Sequence, residues 1–464
     1  MPTHCNPTGM VFGRAGGRTI LADFDGGLIT SDAGALLLSA TDRAIRLVTR
    51  FAACFQDARH PAHVWHALDS LLAQRVFGLA LGYEDVLDHD TLRHDPLLCT
   101  LLGRFERTDA TPAPLAGKST LNRLEHASAE VATARYHRIG HDPAAIEAVF
   151  VNLFLDAFAK PPREIILDLD ATDDPLHGHQ EGRFFHGYYD CYCYLPLYVF
   201  CGRHLLAAKL RVANIDASAG AVAEVARIVA QIRARWPRVR IVLRADSGFA
   251  REELMAWCEA RRVDYVFGLA RNPRLEARLA EALQEARGQS EASGRSARVF
   301  RDFLWSTRGS WSRRRRVIGK AEWSRGAANP RFVVTSLKPD AWGARALYEA
   351  LYCARGDMEN RIKECQLDLF ADRTSAKSLK ANQLRLWFAS MAYVLVSALR
   401  RIGLRHTGLG EASCGTIRLK LLKLGARVSL GVRRVKIALA SACPSEAEWR
   451  VAFARLRAAR APPG

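Results

Sequence analysis

Three stretches of the chain place acidic side chains where they could act together on a phosphodiester. In 164–179, EIILDLDATDDPLHGH, the apolar run Ile165-Ile166-Leu167 gives way to Asp168-Leu169-Asp170. Period-two alternation predicts a strand, with Asp168 and Asp170 on one face and Leu169 on the other. Acids at the end of an apolar strand are costly to bury unless paired, and a divalent cation is a natural partner for carboxylate oxygens. A strand that simply frays into the polar turn Asp173-Asp174-Pro175 accounts for the same residues without chemistry. In Leu243-Arg244-Ala245-Asp246-Ser247-Gly248-Phe249 a second apolar strand delivers an acid to its C-terminal end, and Gly248 lets the chain turn into the next helix. On a later helix Glu359 shares a face with Tyr352, Arg355 and Lys363 at three- and four-residue spacing. Carboxylates from two strands and a helix can hold two divalent metals, which activate the attacking oxygen and stabilise the leaving one in phosphoryl transfer. Arg355 and Lys363 beside them suit a phosphodiester.

The elements that must position these residues follow from periodicity. Strands are predicted at 165–170, 192–200 and 204–212, the last two joined by a turn at Gly202-Arg203. An amphipathic helix over 219–236 carries Val222, Val225, Ile228, Val229 and Ile232 on one stripe. Strand 240–244, helix 252–262 and strand 265–269 complete the order β-β-β-α-β-α-β. A meander followed by right-handed crossovers makes a mixed five-stranded sheet in which the strand ending at Asp246 lies beside the strand of Asp168 and Asp170. That order predicts an α/β, ribonuclease-H-like fold. A helix over 275–287 and strands at 297–305, 314–323 and 331–337 form a β-rich insertion before a long helix over 344–369.

The domain organisation expected is a mainly helical DNA-binding region over 1–160, a catalytic core over 161–272, the insertion over 273–338, the rest of the core with the Glu359 helix over 339–400, and a basic region over 401–464. Within the first, Gly117-Lys118-Ser119-Thr120 looks like the tail of a phosphate-binding loop. That motif needs a glycine where Pro112 stands, so Ser119 and Thr120 are expected to cap a helix. Arg313 to Arg316 form a basic run that either faces solvent or contacts phosphate. In the last region 417–421 alternates apolar and basic residues, the pattern of a half-buried strand with a basic face.

Composition narrows the function classes. There are 67 Lys and Arg against 48 Asp and Glu, a formal net charge of +19. Such an excess favours a polyanionic partner, nucleic acid before membrane. The most apolar stretch, 384–399, is broken by Arg385 and is shorter than the ~20 residues a membrane span needs. The 11 cysteines are odd in number and scattered. Cys191 and Cys193 are too close for a zinc finger, so reduced thiols in a cytosolic setting are expected. His177, His179 and His186 are expected to be loop residues rather than ligands.

Taken together, Asp170-Ala171-Thr172, Asp246-Ser247-Gly248-Phe249 and Tyr352-x-x-Arg355-Gly356-x-x-Glu359-Asn360-Arg361-Ile362-Lys363 resemble DDE transposases of bacterial insertion sequences. The match is similar to the insertion-sequence family thirteen-eighty, in the group marked by a Tyr–Arg–Glu–Lys signature. Gly187-Tyr188-Tyr189, 193–198, 381–385 and 82–85 extend the resemblance over most of the chain. It implies Asp170, Asp246 and Glu359 as the catalytic, metal-binding triad, with Asp168 as the other candidate for the first acid, and Mg or Mn as the cofactor. It further implies that Tyr352 and Arg355 contact transposon-end DNA. The signature's final Lys falls on Gln366, so its phosphate contact is lost or passes to Lys363. Terminal inverted repeats and target DNA are the expected partners, the enzyme acting as a homodimer in the bacterial nucleoid, with Arg418, Lys420, Arg433 and Arg434 as further DNA contacts. A hydrolytic nuclease of the same fold and a non-catalytic DNA-binding descendant are the alternatives.

Overall fold

The computed structural model describes residues 9–103, 112–128 and 138–459. They form two compact units. One comprises the described residues within 49–59 and 125–397; the other comprises those within 1–48, 60–124 and 398–464. The N- and C-terminal stretches thus share a unit. The helix Pro143–Asp156 belongs with the large mixed sheet, burying Val151, Phe154 and Leu155 in its core.

The larger unit is built on one mixed sheet. Its strands are β1 (Glu164–Ala171), β2 (Leu197–Cys201), β3 (His204–Lys209), β4 (Arg240–Ala245), β5 (Asp264–Leu269), β6 (Ala297–Trp305), β7 (Arg315–Ser324), β8 (Ala327–Ala328) and β9 (Arg331–Thr335). The spatial order is β3-β2-β1-β4-β5-β9-β7-β6, with β8 paired to β7. β1, β4 and β5 are parallel neighbours, β2 runs antiparallel to β1, and β3 to β2. The central order therefore agrees with the sequence, but the sheet has nine strands, not five. The insertion does not interrupt the sheet; it extends it. β5 would otherwise end the sheet with an unpaired row of backbone groups, and β9 covers that edge antiparallel.

Alternation assigns the two faces. Ile165, Leu167 and Leu169 of β1 and Ile241, Leu243 and Ala245 of β4 enter one core with Val225, Ile228, Val229 and Ile232 of α1 (Ala221–Arg235) and Leu254, Met255 and Cys258 of α2 (Glu252–Ala260). Burying each large apolar side chain contributes about 1.5–3 kcal/mol, so a slip by one residue would exchange these for Asp168 and Asp170. The opposite face meets Leu347, Tyr348 and Leu351 through Val266, Ile318 and Val333.

Several local expectations change. The strand predicted over 192–200 breaks at Leu195-Pro196. Cys191–Tyr194 pairs instead with Asp174–Pro175 and Phe184–His186 in a small separate sheet. Pro196 has no N–H to continue a ladder. The helix predicted over 275–287 divides into Pro273–Ala277 and Ala280–Ser293. The long helix over 344–369 changes pitch repeatedly: π over Leu347–Tyr352, 3-10 over Cys353–Arg355, α over α3 (Gly356–Lys363), then π over Glu364–Asp368. Such departures cluster where side chains must be re-aimed. Ser119 and Thr120 lie inside the helix Lys118–Glu125, whose first N–H is received by Asp90 at 2.9 Å.

The arginine run is structural in its second half. Arg315 pairs with Glu252 at 2.5 Å and Glu259 at 2.7 Å. Arg316 pairs with Asp302 at 2.5 Å and donates to the Leu337 and Trp342 carbonyls. Both are buried, which overturns phosphate contact for these two. Among the described residues no helix is long and apolar enough to cross a membrane; the 384–399 segment lies in the buried helix α4 (Leu379–Ile402).

One ion pair joins the sheet to the helical segment above it. Arg244 meets Asp168 through two bonds, 2.5 and 2.8 Å, and donates a third to the Leu351 carbonyl at 2.5 Å. Both side chains are almost wholly buried. Truncating one partner of such a pair strands the other charge. Asp168→Ala is therefore expected to destabilise this unit by about 3–5 kcal/mol in denaturant unfolding. A change below about 1 kcal/mol would show that the pair does not anchor the helix.

Candidate active site

The parallel ladder of β1 and β4 pairs Asp168 with Arg244 and Leu169 with Ala245. The next residues are Asp170 on β1 and Asp246 just past the end of β4, so the register itself brings two acids side by side at the C-terminal ends of neighbouring strands. Asp246 is held by its own turn: Oδ1 accepts the Gly248 N–H at 2.9 Å, capping a short 3-10 turn over Ser247–Phe249. Asp170 Oδ1 accepts the Ala171 N–H at 3.0 Å.

The third acid arrives from α3. Arg355 reaches Asp170 at 3.0 Å and Glu359 at 2.7 Å, with Glu359 about half exposed. Asp170, Asp246, Arg355, Glu359, Lys363 and Gln366 all line one cleft of about 570 Å³. Burial, then the charges of Asp246 and Glu359, push the Asp170 carboxyl up to about 7 against the pull of Arg355. Asp170 thus lies within the field of both other acids. Burial lowers Arg355, yet Asp170 and Glu359 together hold its guanidinium above the ordinary value. Among the described residues no three His, Cys, Asp or Glu side chains are gathered as a ready metal cage; Glu359 is turned onto Arg355. The donor chemistry still fits a hard cation: all three donors are carboxylates, and a positive group already lies between two of them.

The two candidates for the first acid separate cleanly. Asp168 is buried against Arg244 and is not part of the cleft's lining, whereas Asp170 is. Through Arg244, Asp168 supports the helical segment at Leu351. Gln366 donates to the Asp173 carbonyl at 2.9 Å, tying α3's continuation to the loop after β1, and Lys363 is exposed beside it. Tyr352 stands outside the lining. Its ring lies 5.5 Å from Tyr348 and its hydroxyl is packed over Gly268, where a Cβ would come within 2.6 Å of it and 2.8 Å of the Ser247 nitrogen. Gly268 is therefore required by the close approach of β5 to both elements, a constraint no spacing in the sequence signals.

Other site residues went unassigned by sequence reasoning. Tyr189 donates to the Ala171 carbonyl at 3.3 Å, and burial first, then Asp173 and Asp170, push its phenol well up, so it stays protonated. Tyr188 and His186 line the same cleft, Tyr188 being 85% exposed. The Gly187-Tyr188-Tyr189 motif was the signal for the two tyrosines, while His186, expected in a loop, ends the short strand Phe184–His186. In the other unit, Arg418 donates to the Ala80 and Leu79 carbonyls at 3.0 and 3.4 Å, at the end of the helix Leu68–Leu81. It satisfies carbonyls at that helix end. Its segment 417–421 is helical, not a strand, and Lys420, Arg433 and Arg434 are exposed.

Comparison with the curated proteins gives no match. A family model described as Transposase DDE domain group 1 matches residues 12–461. With that match spanning nearly the whole chain and acids from two strands and a helix lining one cleft, the chain belongs to the transposase DDE domain family.

Proposed function

We propose that this protein is a DDE transposase of ribonuclease-H-like architecture that cuts and rejoins DNA at the ends of an insertion sequence of family thirteen-eighty. The observation that carries this is the convergence of Asp170, Asp246 and Glu359 on one cleft with basic side chains beside them. Asp170, Asp246 and Glu359 would hold Mg or Mn. When bound, divalent cations polarise the scissile phosphate and the attacking oxygen and stabilise the departing one.

The remaining work falls to the chain itself. Arg355 and Lys363 present cations to the phosphodiester; a guanidinium can meet two phosphate oxygens at once. Gln366 supplies no charge at the position where the family signature carries Lys, and instead holds the loop that follows Asp170. Asp168 and Arg244 fix the helix that delivers Arg355 and Glu359. Transposon-end DNA and target DNA are the substrates, and a homodimer at synapsis is the assembly this reading carries.

Asp170→Asn, Asp246→Asn and Glu359→Gln are each expected to lower strand cleavage and joining by at least about 10²-fold, the scale of removing one preorganised electrostatic group. Duplex binding and the folded state should persist. A pre-cut end bearing a 3′-hydroxyl separates transposase from nuclease: joining to target DNA supports the first, and release by water alone supports the second.

Arg355 is a cation competing for two of the carboxylates. Arg355→Gln should therefore bind Mn more tightly in calorimetry while binding duplex DNA less tightly by about 1.5–3 kcal/mol, the range for a charged hydrogen bond. Weaker Mn binding in the variant would remove the counter-charge role.

A further inference from the structure

From Ala412 to Ser445 the sequence carries no acidic residue and seven basic ones: Arg418, Lys420, Lys423, Arg427, Arg433, Arg434 and Lys436. Two are committed inside their unit. Arg418 holds the Ala80 carbonyl, and Lys423 pairs with the buried Asp32 at 2.7 Å. Four of the others lie on one hairpin, β10 (Ala426–Gly431) and β11 (Arg434–Leu439), whose turn is Val432-Arg433.

The ladder runs without a break from Ala426 opposite Leu439 to Gly431 opposite Arg434. Alternation sends Ala426, Val428, Leu430, Val435, Ile437 and Leu439 inward or half inward. It leaves Arg427, Ser429, Gly431, Arg434, Lys436 and Ala438 fully on the other face, all exposed. Across the ladder each base meets a small partner: Arg427 meets Ala438, Lys436 meets Ser429, and Arg434 meets Gly431. The face is slim and its cations stand clear, stepping along the ribbon by about 6.8 Å, two residues of strand rise. Among the described residues Arg427, Arg433, Arg434 and Lys436 form no ion pair, in contrast to the buried and paired Arg244, Arg315 and Arg316.

We propose that the β10–β11 hairpin is a duplex-DNA-binding ribbon that lies in the major groove on its Arg427–Lys436–Arg434 face, with Arg433 leading at the turn. The inference rests on the reading of the protein as a DNA transposase and assigns that reading a recognition element. A two-stranded ribbon fits a groove about 12 Å wide, and guanidinium groups are suited to the guanine edge there. β11 is also the edge of its sheet, which runs β11, β10 and the short strand Ile29–Thr30. Cations there discourage edge-to-edge pairing between copies, but that role needs no DNA.

The test uses the full chain, a random-sequence duplex and the matching single strand, with binding followed by fluorescence anisotropy over a salt series and guanine N7 protection mapped on the duplex. The triple variant R427A/R434A/K436A should flatten the log–log salt slope for duplex by about 2.7, three contacts at 0.9 each, and should lose N7 protection, with an unchanged far-UV circular dichroism spectrum. Ala438→Trp keeps every charge and fills the slim face; it should lose N7 protection while keeping most of the slope. An unchanged slope in the triple variant overturns the proposal, and so does wild-type N7 protection in Ala438→Trp. Equal wild-type preference for the single strand also overturns it. Salt-insensitive binding by the wild type would remove the transposase reading itself, and the hairpin's role with it.

Discussion

Three like charges held near one another at the end of an apolar sheet are the constraint from which the rest of the larger unit follows. Asp170 and Asp246 cannot avoid each other, because the register that buries Leu167, Leu169, Leu243 and Ala245 on the helical face also aligns the ends of β1 and β4. The apolar core thus enforces an electrostatic cost at its margin. Arg355 relieves that cost by lying between Asp170 and Glu359. A side chain in that position neutralises two of the carboxylates and would compete with any cation the proposed site takes. It is also the arginine among the residues that line the cleft.

The chain uses its arginines in two distinct ways, and net charge conceals the difference. Arg244, Arg315 and Arg316 are buried, each with a carboxylate partner and two of them with carbonyl partners as well. Arg244 matters most to the site, since its bond to the Leu351 carbonyl fixes the segment leading to Arg355 and Glu359. The cations of the β10–β11 hairpin have no such partners and stand in water. Only the second kind is free for a polyanion, so the formal +19 overstates the charge that DNA would meet.

The parts legible in the sequence were those encoded locally. Alternation at Asp168-Leu169-Asp170, the stripe from Val222 to Ile232 and the turn at Gly202-Arg203 were sufficient for the order of the central strands. What was not legible depended on pairing between distant segments. That β9 would cover β5, making the insertion part of the sheet, is a fact of non-local edge pairing. Asp168 and Asp170 share a face, so alternation could not tell them apart; the buried pairing of Asp168 with Arg244 is where they differ. The pattern at 417–421 was misleading because basic side chains at alternate positions also suit a helix when Arg418 turns back onto carbonyls of its neighbour. The pitch changes from Leu347 to Asp368 have no local signature at all.

The central claim is that Asp170, Asp246 and Glu359 form one cation site from which Arg355 must withdraw. Anomalous diffraction from crystals grown with manganese tests it most directly. The account predicts manganese between these three carboxylates, with the Arg355 guanidinium displaced from Glu359 and Asp168 still paired with Arg244. Manganese bound elsewhere, or an empty cleft with Arg355 still bridging Asp170 and Glu359 at saturating metal, would contradict it.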